Sequence, residues 1–379
     1  MDREFIEKVR ESVDIVDVIS DYVELKKTGK QYRGLCPFHK EKTPSFYVDP
    51  DKGVYHCFGC GASGNVFRFL MDIEKITFSE AVMQLAKRAG IEPPKKAGKK
   101  ALARPLKLVE LAAEFFHKNL FMPEGRRALQ YLKKRGIRIE TATYFKLGYA
   151  LPDGRSFLKY AAQNGFSEQE VVEAGLATKR EDRIFDTFRD RLMFPIRSVG
   201  GTVIAFGGRA LSDSAMPKYL NSPDTPFFKK GETLYGLYEV KGSIREKNVA
   251  IIVEGYMDYL MMYQTGLKYA VAPLGTALTE QQARVIGRYA KRIYLLYDGD
   301  EAGRKAARRA LPILLAAGLR PRVSLLPEGE DPASLILQGE RQVVIDALRN
   351  GLDTVDFLLG QGERTLDDPD KMAEVIAEI

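Results

Sequence analysis

The segments VAIIVEGYMD (residues 249–258) and RIYLLYDGDEAG (residues 292–303) decide the fold of the longer part of this chain. Each carries an uninterrupted apolar run that stops at acidic residues beside a glycine. The runs YAVAPLG (residues 269–275) and PRVSLLPEG (residues 321–329) repeat the pattern, with helical stretches between. Continuous apolar runs alternating with helices are expected of parallel strands buried on both faces. In an open sheet of that kind, ligands and chemistry gather outside the carboxyl ends of the strands. Glu254, Asp298, Asp300 and Asp331 all fall there, with Asp258 four residues beyond Glu254. Asp298 and Asp300, either side of one glycine, can both reach one hard cation, and Mg²⁺ prefers carboxylates combined with water and substrate phosphates. Acids here can also simply cap the next helix, as Asp300-Glu301 could. The separate Glu-Gly at another strand end favours the metal.

Outward from this sheet, residues 106–241 read as a mixed α+β subdomain, helices first and then a Gly- and Phe-rich β region over residues 184–206. The segment EPPKKAGKKALARP (residues 92–105) holds three prolines and four lysines and reads as a basic linker. Residues 1–91 then form a separate module. It opens with two amphipathic patterns (Phe5, Ile6, Val9; Ile15, Val18, Ile19, Tyr22), followed by short β-like runs broken by Gly34, Pro37, Pro44, Pro50 and Gly53. A helix is expected over residues 66–73, and another from a Thr77–Glu80 capping box to Gly90. Residues 242–335 hold the parallel sheet. Residues 336–379 are helical and stop in mid-pattern at Ile379, as a fragment of a longer protein would.

Composition narrows the class. Fifty-eight basic against 51 acidic residues leave +7, with pI near 9.0, and 45% hydrophobic with 29% charged residues is ordinary globular material. No apolar run approaches the about 20 residues of a membrane span. The amino terminus MDREFIEKVRES lacks the apolar region of a secretory signal. Three cysteines exclude a disulfide framework. A cytoplasmic enzyme or nucleic-acid binder is expected.

All three cysteines lie in one motif. CPFH (residues 36–39) and CFGC (residues 57–60) are two x₂-spaced ligand pairs separated by 17 residues. Two such knuckles complete a tetrahedron, and thiolate with imidazole selects Zn²⁺. The ligands are Cys36, His39, Cys57 and Cys60. His56 competes, but alternation along a strand points it away from Cys57. A closed four-ligand site makes the zinc structural. The overlapping GCGASG (residues 59–64) matches a dinucleotide fingerprint but lacks its βαβ context, so its glycines are expected to permit the knuckle turn. No P-loop is present. Around the motif, Tyr32, Phe38, Phe46, Tyr47, Tyr55 and Phe58 interleave with Lys30, Arg33, Lys40, Lys42 and Lys52. That pattern suits single-stranded nucleic acid, although about half of these aromatics should be core.

Taken together, EGYMD, DGDEAG and GEDP (residues 329–332) resemble the Toprim domain shared by bacterial primases, topoisomerases and some recombination proteins. The CPFH…CFGCG motif resembles the primase zinc module. RDRLMFPI (residues 189–196), FGGR (residues 206–209) and PKYLNSP (residues 217–223) are similar to the segment lining the primase template and nucleotide groove. Over nearly its whole length the chain therefore resembles the bacterial DNA primase family. The implied fold is α+β and multidomain: an amino-terminal zinc-ribbon module, a mixed α+β subdomain, a Toprim α/β parallel-sheet subdomain and a carboxy-terminal helical segment. The family's helicase-docking domain finds no counterpart in this sequence.

The resemblance implies synthesis of short RNA primers on single-stranded DNA from ribonucleoside triphosphates, by a monomeric bacterial enzyme that binds no membrane. Asp298 and Asp300 would hold Mg²⁺ or Mn²⁺, Glu254 a further metal or the proton of the attacking hydroxyl, and Asp331 would complete the shell. Arg135, Arg209, Lys218 and Lys230 match positions that contact template or nucleotide phosphates. Each could instead be a solvated cation, Arg135 most of all beside Lys133 and Lys134. The zinc module would contact template, in cis or on a neighbouring molecule. Replicative helicase and single-stranded-DNA-binding protein are the protein partners implied. Two rivals stay open: a topoisomerase, which would use the same acidic site with a nucleophilic tyrosine on a separate domain and against which the zinc motif argues, and a non-enzymatic zinc-dependent DNA-binding or recombination mediator. Charge distribution favours nucleic acid in each case, since residues 26–68, 92–105 and 179–230 carry +5, +4 and +4 while the remainder carries −6.

Overall fold

Phe46, Val48, Tyr55 and Cys57 are buried while Tyr47 and His56 turn outward, so alternation alone gives these strands one core face. The structure, a computed structural model, describes residues 3–74, 76, 78–91, 97–181, 183–212, 215–275 and 277–360. It divides into two units, Met1–Lys99 and Lys100–Ile379. The first begins with helices α1 (Arg3–Glu11) and α2 (Ile15–Ser20), the second of these capped by the Asp14 carboxylate. An antiparallel meander follows, of β1 (Lys26–Thr28), β2 (Gln31–Gly34), β3 (Phe46–Asp49), β4 (Val54–Cys57) and β5 (Ser63–Asn65). Helices α3 (Val66–Glu74) and α4 (Phe78–Arg88) close it. Phe46 stacks on Tyr55 (ring centroids 5.2 Å apart), and Phe69 of α3 meets Tyr55 edge-on. Gly90, at φ +66°, ends α4, and the Ile91 N–H returns to the Ala86 carbonyl. The expected Thr77 cap lies outside the described residues, as do residues 92–96 of the expected linker.

Residues 97–105, the rest of that linker, are helical instead. They open α5 (Ala97–Leu120), with Pro105 inside it. Alanine, lysine, leucine and arginine dominate the stretch and are strong helix formers, which a composition argument about burial overlooks. Five more helices and six strands build the mixed part: α6 (Arg126–Lys134), α7 (Ile139–Tyr144), β6 (Gly148–Ala150), α8 (Ser156–Gln163), α9 (Glu168–Glu173), β7 (Ala177–Arg180), β8 (Arg183–Asp186), β9 (Arg191–Arg197), β10 (Val203–Ala210), β11 (Tyr219–Asn221) and α10 (Leu237–Lys247). Strands β11-β10-β9-β6 form an antiparallel sheet.

The remainder is β12 (Val249–Ile252), α11 (Tyr256–Gln264), β13 (Ala270–Val271), α12 (Glu280–Ile286), β14 (Arg292–Leu295), α13 (Glu301–Ala316), β15 (Arg320–Val323), α14 (Pro332–Leu337), α15 (Arg341–Arg349) and α16 (Thr354–Leu359). Strands β13-β12-β14-β15 are parallel throughout. The chain therefore has the α+β, multidomain arrangement expected, with a zinc ribbon ahead of an antiparallel sheet and a parallel sheet. Residues 361–379, in the expected carboxy-terminal segment, lie outside the described residues. No helix among the described residues is long and apolar enough to cross a membrane.

Helix α11 is buried from Tyr256 to Met262, as a helix covered on all sides must be. Tyr256 ties the two sheets together. Its ring stacks on Phe194 of β9 (4.7 Å) and its hydroxyl donates to Asn221 Oδ1 of β11 (2.6 Å). A Cβ on Gly207 would lie 2.3 Å from the Tyr256 hydroxyl, so only glycine fits there. Gly207→Ala is accordingly expected to cost about 1–3 kcal/mol. Gly242→Ala, whose Cβ would meet nothing within 4 Å on α10, should gain about 0.4–1 kcal/mol. Urea denaturation of both variants measures this, and a Gly207→Ala chain as stable as the parent would contradict the packing.

Candidate metal centres and basic face

The zinc ribbon forms because hairpins bring two short loops together. Cys36 and His39 lie in the connection from β2 to β3, Cys57 ends β4, and Cys60 lies in the turn to β5. Their ligand atoms all lie within 4.8 Å of one another. Cys36 Sγ and Cys60 Sγ are 3.8 Å apart, and Cys57 Sγ is 3.9 Å from His39 Nδ1. Tetrahedral zinc with bonds of about 2.3 Å to sulfur requires a sulfur–sulfur edge of about 3.8 Å, so the quartet fits the ion. Burial pushes the Cys36 thiol up to about 12. Burial also acts to raise Cys57, but the Ser45 hydroxyl and the N–H groups of Cys60 and Gly59 outweigh it and bring that thiol to about 7. His56 points to the other face, against the Phe58 ring. The glycines need a distinction the sequence did not offer. Gly61 turns the chain at φ +75°, whereas Gly59 is needed because a Cβ there would lie 2.7 Å from His39 Nε2 and 2.8 Å from Ser45 Oγ.

The acidic residues meet at the carboxyl ends of β12 and β14. Glu254 Oε1 accepts the Asp298 N–H (3.0 Å) and so joins the two strand ends. Asp300 caps α13 through Oδ1, accepting the Gly303 N–H (2.7 Å). Asp331 caps α14, with both oxygens engaged by Ser334 at 2.7 Å. The capping alternative thus describes one face of these two acids and leaves Asp300 Oδ2 uncommitted to a cap. Asp298 Oδ1 is different: it is buried and has no hydrogen-bond partner. Burial, then the charges of Glu254, Asp331 and Asp300, push the Asp298 carboxyl up to about 7. Burial, with Asp298 and Asp331, raises Asp258 to about 8, and burial likewise raises Glu254. Crowded carboxylates around an orphaned oxygen fit a divalent cation. Among the described residues they are not drawn as tightly together as the zinc quartet. The glycines of DGDEAG close the loop: a Cβ on Gly299 would lie 2.0 Å from the Pro327 carbonyl, and one on Gly303 2.2 Å from that of Asp298.

Of the basic residues, Arg209 is the most constrained. Its guanidinium lies 4.1 Å above the Tyr131 ring and 5.9 Å from that of Tyr219. One of its donors reaches the Ala210 carbonyl, while Nε is buried without a partner. Burial raises the Tyr131 and Tyr219 hydroxyls, and the charge of Arg135, at the end of α6, opposes that rise. The Tyr219 ring also stacks on that of Tyr256 (6.0 Å), which follows the Glu254-Gly255 turn in sequence. Lys218 is exposed on the β10–β11 connection, where the carbonyls of Pro217 and Lys218 accept from the buried Arg191 guanidinium (2.9 and 3.4 Å). Lys230 is placed separately, its N–H on Asp224 and its carbonyl accepting from Gln282. Sequence reasoning missed Tyr131, Tyr219, Asn221 and Tyr256. Three of them lie within motifs it quoted, and Tyr219 and Asn221 occupy alternate positions of one strand.

Three family profiles match the chain: a CHC2 zinc finger over residues 1–101, a DNA primase catalytic core, N-terminal domain, over residues 115–241, and a Toprim-like region over residues 251–336. A zinc finger joined to a Toprim-containing catalytic core is the class of protein these units define. Among curated relatives, a DNA primase of Aquifex aeolicus is 40% identical, over 96% of this chain and 72% of the relative. One from Halalkalibacterium halodurans is 42% identical over 100% of this chain and 65% of the relative. The solved zinc-binding and RNA polymerase domains of the A. aeolicus primase superpose with a TM-score of 0.67 at 38% identity, covering 99% of this chain and 92% of that one. A DnaG primase catalytic domain bound to single-stranded DNA gives 0.64 at 37% identity, covering 72% and 90%. The chain belongs to the DNA primase family. It spans 65% of the H. halodurans relative and 52% of one from Pseudomonas putida. The first unit carries a structural zinc site, and the Toprim region a site for a divalent metal.

Raised carboxyls make the folded second unit bind more protons than the unfolded chain between about pH 4 and pH 8. Stability without added divalent cation should therefore fall as pH rises through that window. Added Mg²⁺ should raise Tm more at pH 8 than at pH 6. Asp298→Asn should raise the metal-free Tm at pH 8 and remove most of the Mg²⁺ effect. Equal Mg²⁺ responses at both pH values, measured by thermal denaturation, would contradict the crowding.

Proposed function

We propose that this chain is the catalytic part of a primase that makes short RNA primers on single-stranded DNA from ribonucleoside triphosphates. The observation that carries the proposal is the orphaned Asp298 oxygen among crowded carboxylates. Phosphoryl transfer of this kind asks for little covalent help; it asks for in-line positioning and neutralisation of phosphate charge. A divalent cation, Mg²⁺ or Mn²⁺, supplies that neutralisation when bound. Asp298 and Asp300 are the carboxylates that hold it. Glu254 fixes the DGD loop through the Asp298 N–H, and its raised carboxyl suits it to take a proton from the attacking hydroxyl. Asp331 adds charge to the same pocket while its cap holds α14.

Arg209 presents its free guanidinium edge to a phosphate, in a plane set by Tyr131. Lys218 acts as a point charge on a loop that Arg191 holds by its carbonyls. Arg135 and Lys230 extend the phosphate contacts. In the first unit, Arg33, Tyr47 and His56 are register partners on adjacent strands, and Phe58 is 73% exposed beside them. This row offers stacking faces for template bases. The replicative helicase and a single-stranded-DNA-binding protein are the partners such an enzyme would meet in the bacterial cytoplasm. The topoisomerase and mediator rivals lose their ground with membership of the primase family.

Radiolabelled primer synthesis on single-stranded DNA tests the proposal. Asp298→Ala should lower the rate by about 10²-fold or more. Tyr131→Leu should raise KM for nucleotide more than it lowers kcat, because it loosens Arg209 without touching the carboxylates. Parental synthesis by Asp298→Ala would overturn the assignment.

A further inference from the structure

The loop carrying Cys36 and His39 also carries an acid that the zinc motif does not require. Glu41 lies between Lys40 and Lys42, yet its side chain is only 11% exposed. Its Oε1 accepts the N–H groups of Cys36 (2.7 Å) and Ser45 (3.2 Å). Its Oε2 accepts the Ser45 hydroxyl (2.5 Å) and stands 3.4 Å from His39 Nε2. Ser45 Oγ in turn is 3.2 Å from Cys57 Sγ. One carboxylate thus reaches the backbone of one ligand residue, the ring of a second and, through a hydroxyl, the sulfur of a third.

The two ring nitrogens of His39 have separate neighbours. Nδ1 faces Cys57 Sγ, inside the quartet, while Nε2 faces Glu41. A metal-bound imidazole commonly donates its other N–H to a carboxylate, which fixes both tautomer and ring orientation. Gly59 preserves the space in which this happens, since any side chain there would strike His39 Nε2 and Ser45 Oγ. A brace for the loop alone would need only the Oε1 bonds, whereas Oε2 stands against the ring of one ligand residue, His39, and accepts from Ser45, which lies against the sulfur of another, Cys57.

We propose that Glu41 is a positioning residue for the zinc site, holding His39 with Nδ1 toward the metal and anchoring Cys36 directly and Cys57 through Ser45. The inference rests on the zinc assignment of the quartet, which metal content tests separately. The whole chain and its Glu41→Gln, Glu41→Asp and Ser45→Ala variants would be compared for zinc content, for the rate of zinc transfer to a chelating dye, and for the absorption spectrum with Co²⁺ in place of zinc. The parent should hold one zinc per chain. Glu41→Gln should release it about 10–100-fold faster, with unchanged far-ultraviolet circular dichroism and shifted cobalt ligand-field bands. Glu41→Asp should recover part of the loss. Ser45→Ala leaves the Glu41–His39 contact in place, and should release zinc faster by a smaller factor and alter the sulfur-to-cobalt charge-transfer band. Should Glu41→Gln fail to fold, Ser45→Ala decides by the same two readouts. Parental release rates and cobalt spectra in the variants would overturn the inference while leaving the zinc assignment intact. A parent chain that binds no zinc would overturn both.

Discussion

The bond from the Asp298 N–H to Glu254 Oε1 joins the ends of two parallel strands, and the chemistry of the second unit depends on it. It fixes the DGD loop against the Glu-Gly turn, and so brings like charges together that would separate if the loop were free. The surrounding sheet makes that tolerable. Ile251, Ile252, Val253, Ile293 and Leu295 are buried on both faces, and their apolar burial, about 25 cal/mol per Å², opposes the repulsion at the strand ends. Glycines 299 and 303 let the loop sit flat on its neighbours where any side chain would prise it away. The pocket is strained by charge and rigid in backbone, which is what a preorganised cation site requires.

The two metal centres solve opposite problems. At the zinc ribbon the ligands are soft, the loop carbon skeleton is small and a single carboxylate braces three of the four ligand residues. The site is closed, so its consequence is a folded platform. At the carboxylate cluster the ligands are hard, and two of them already serve as helix caps, leaving Asp298 Oδ1 without a partner. A site that is incomplete by construction can accept a substrate phosphate together with a cation. Arg209 is handled in the same spirit: aromatic rings fix its plane but leave donors unspent.

Much of this was legible in the sequence because it is local. The apolar runs of residues 249–253 and 292–297 announced buried parallel strands, DGD announced a strand-end pair of carboxylates, and the two x₂-spaced knuckles named four residues that the structure gathers within ligand distance. Strand alternation also sorted His39 from His56. What escaped is long-range or subtle. Helix propensity overrode composition at residues 97–105. Gly59 is required by space rather than by φ, a difference visible only once His39 and Ser45 are in place. The Tyr131–Arg209 clamp joins positions 78 residues apart, which no periodicity connects. Glu41 looks like one charge in a lysine-rich loop until its four contacts are seen.

A divalent cation held on Asp298 would relieve the crowding at the ends of β12 and β14. Electron paramagnetic resonance of Mn²⁺ titrated into the zinc-loaded chain measures this directly. Saturable Mn²⁺ binding is expected, displaced by Mg²⁺ and weakened by at least about tenfold in Asp298→Asn, with zinc content unchanged. Mn²⁺ binding of parental strength in Asp298→Asn would contradict that placement of the cation.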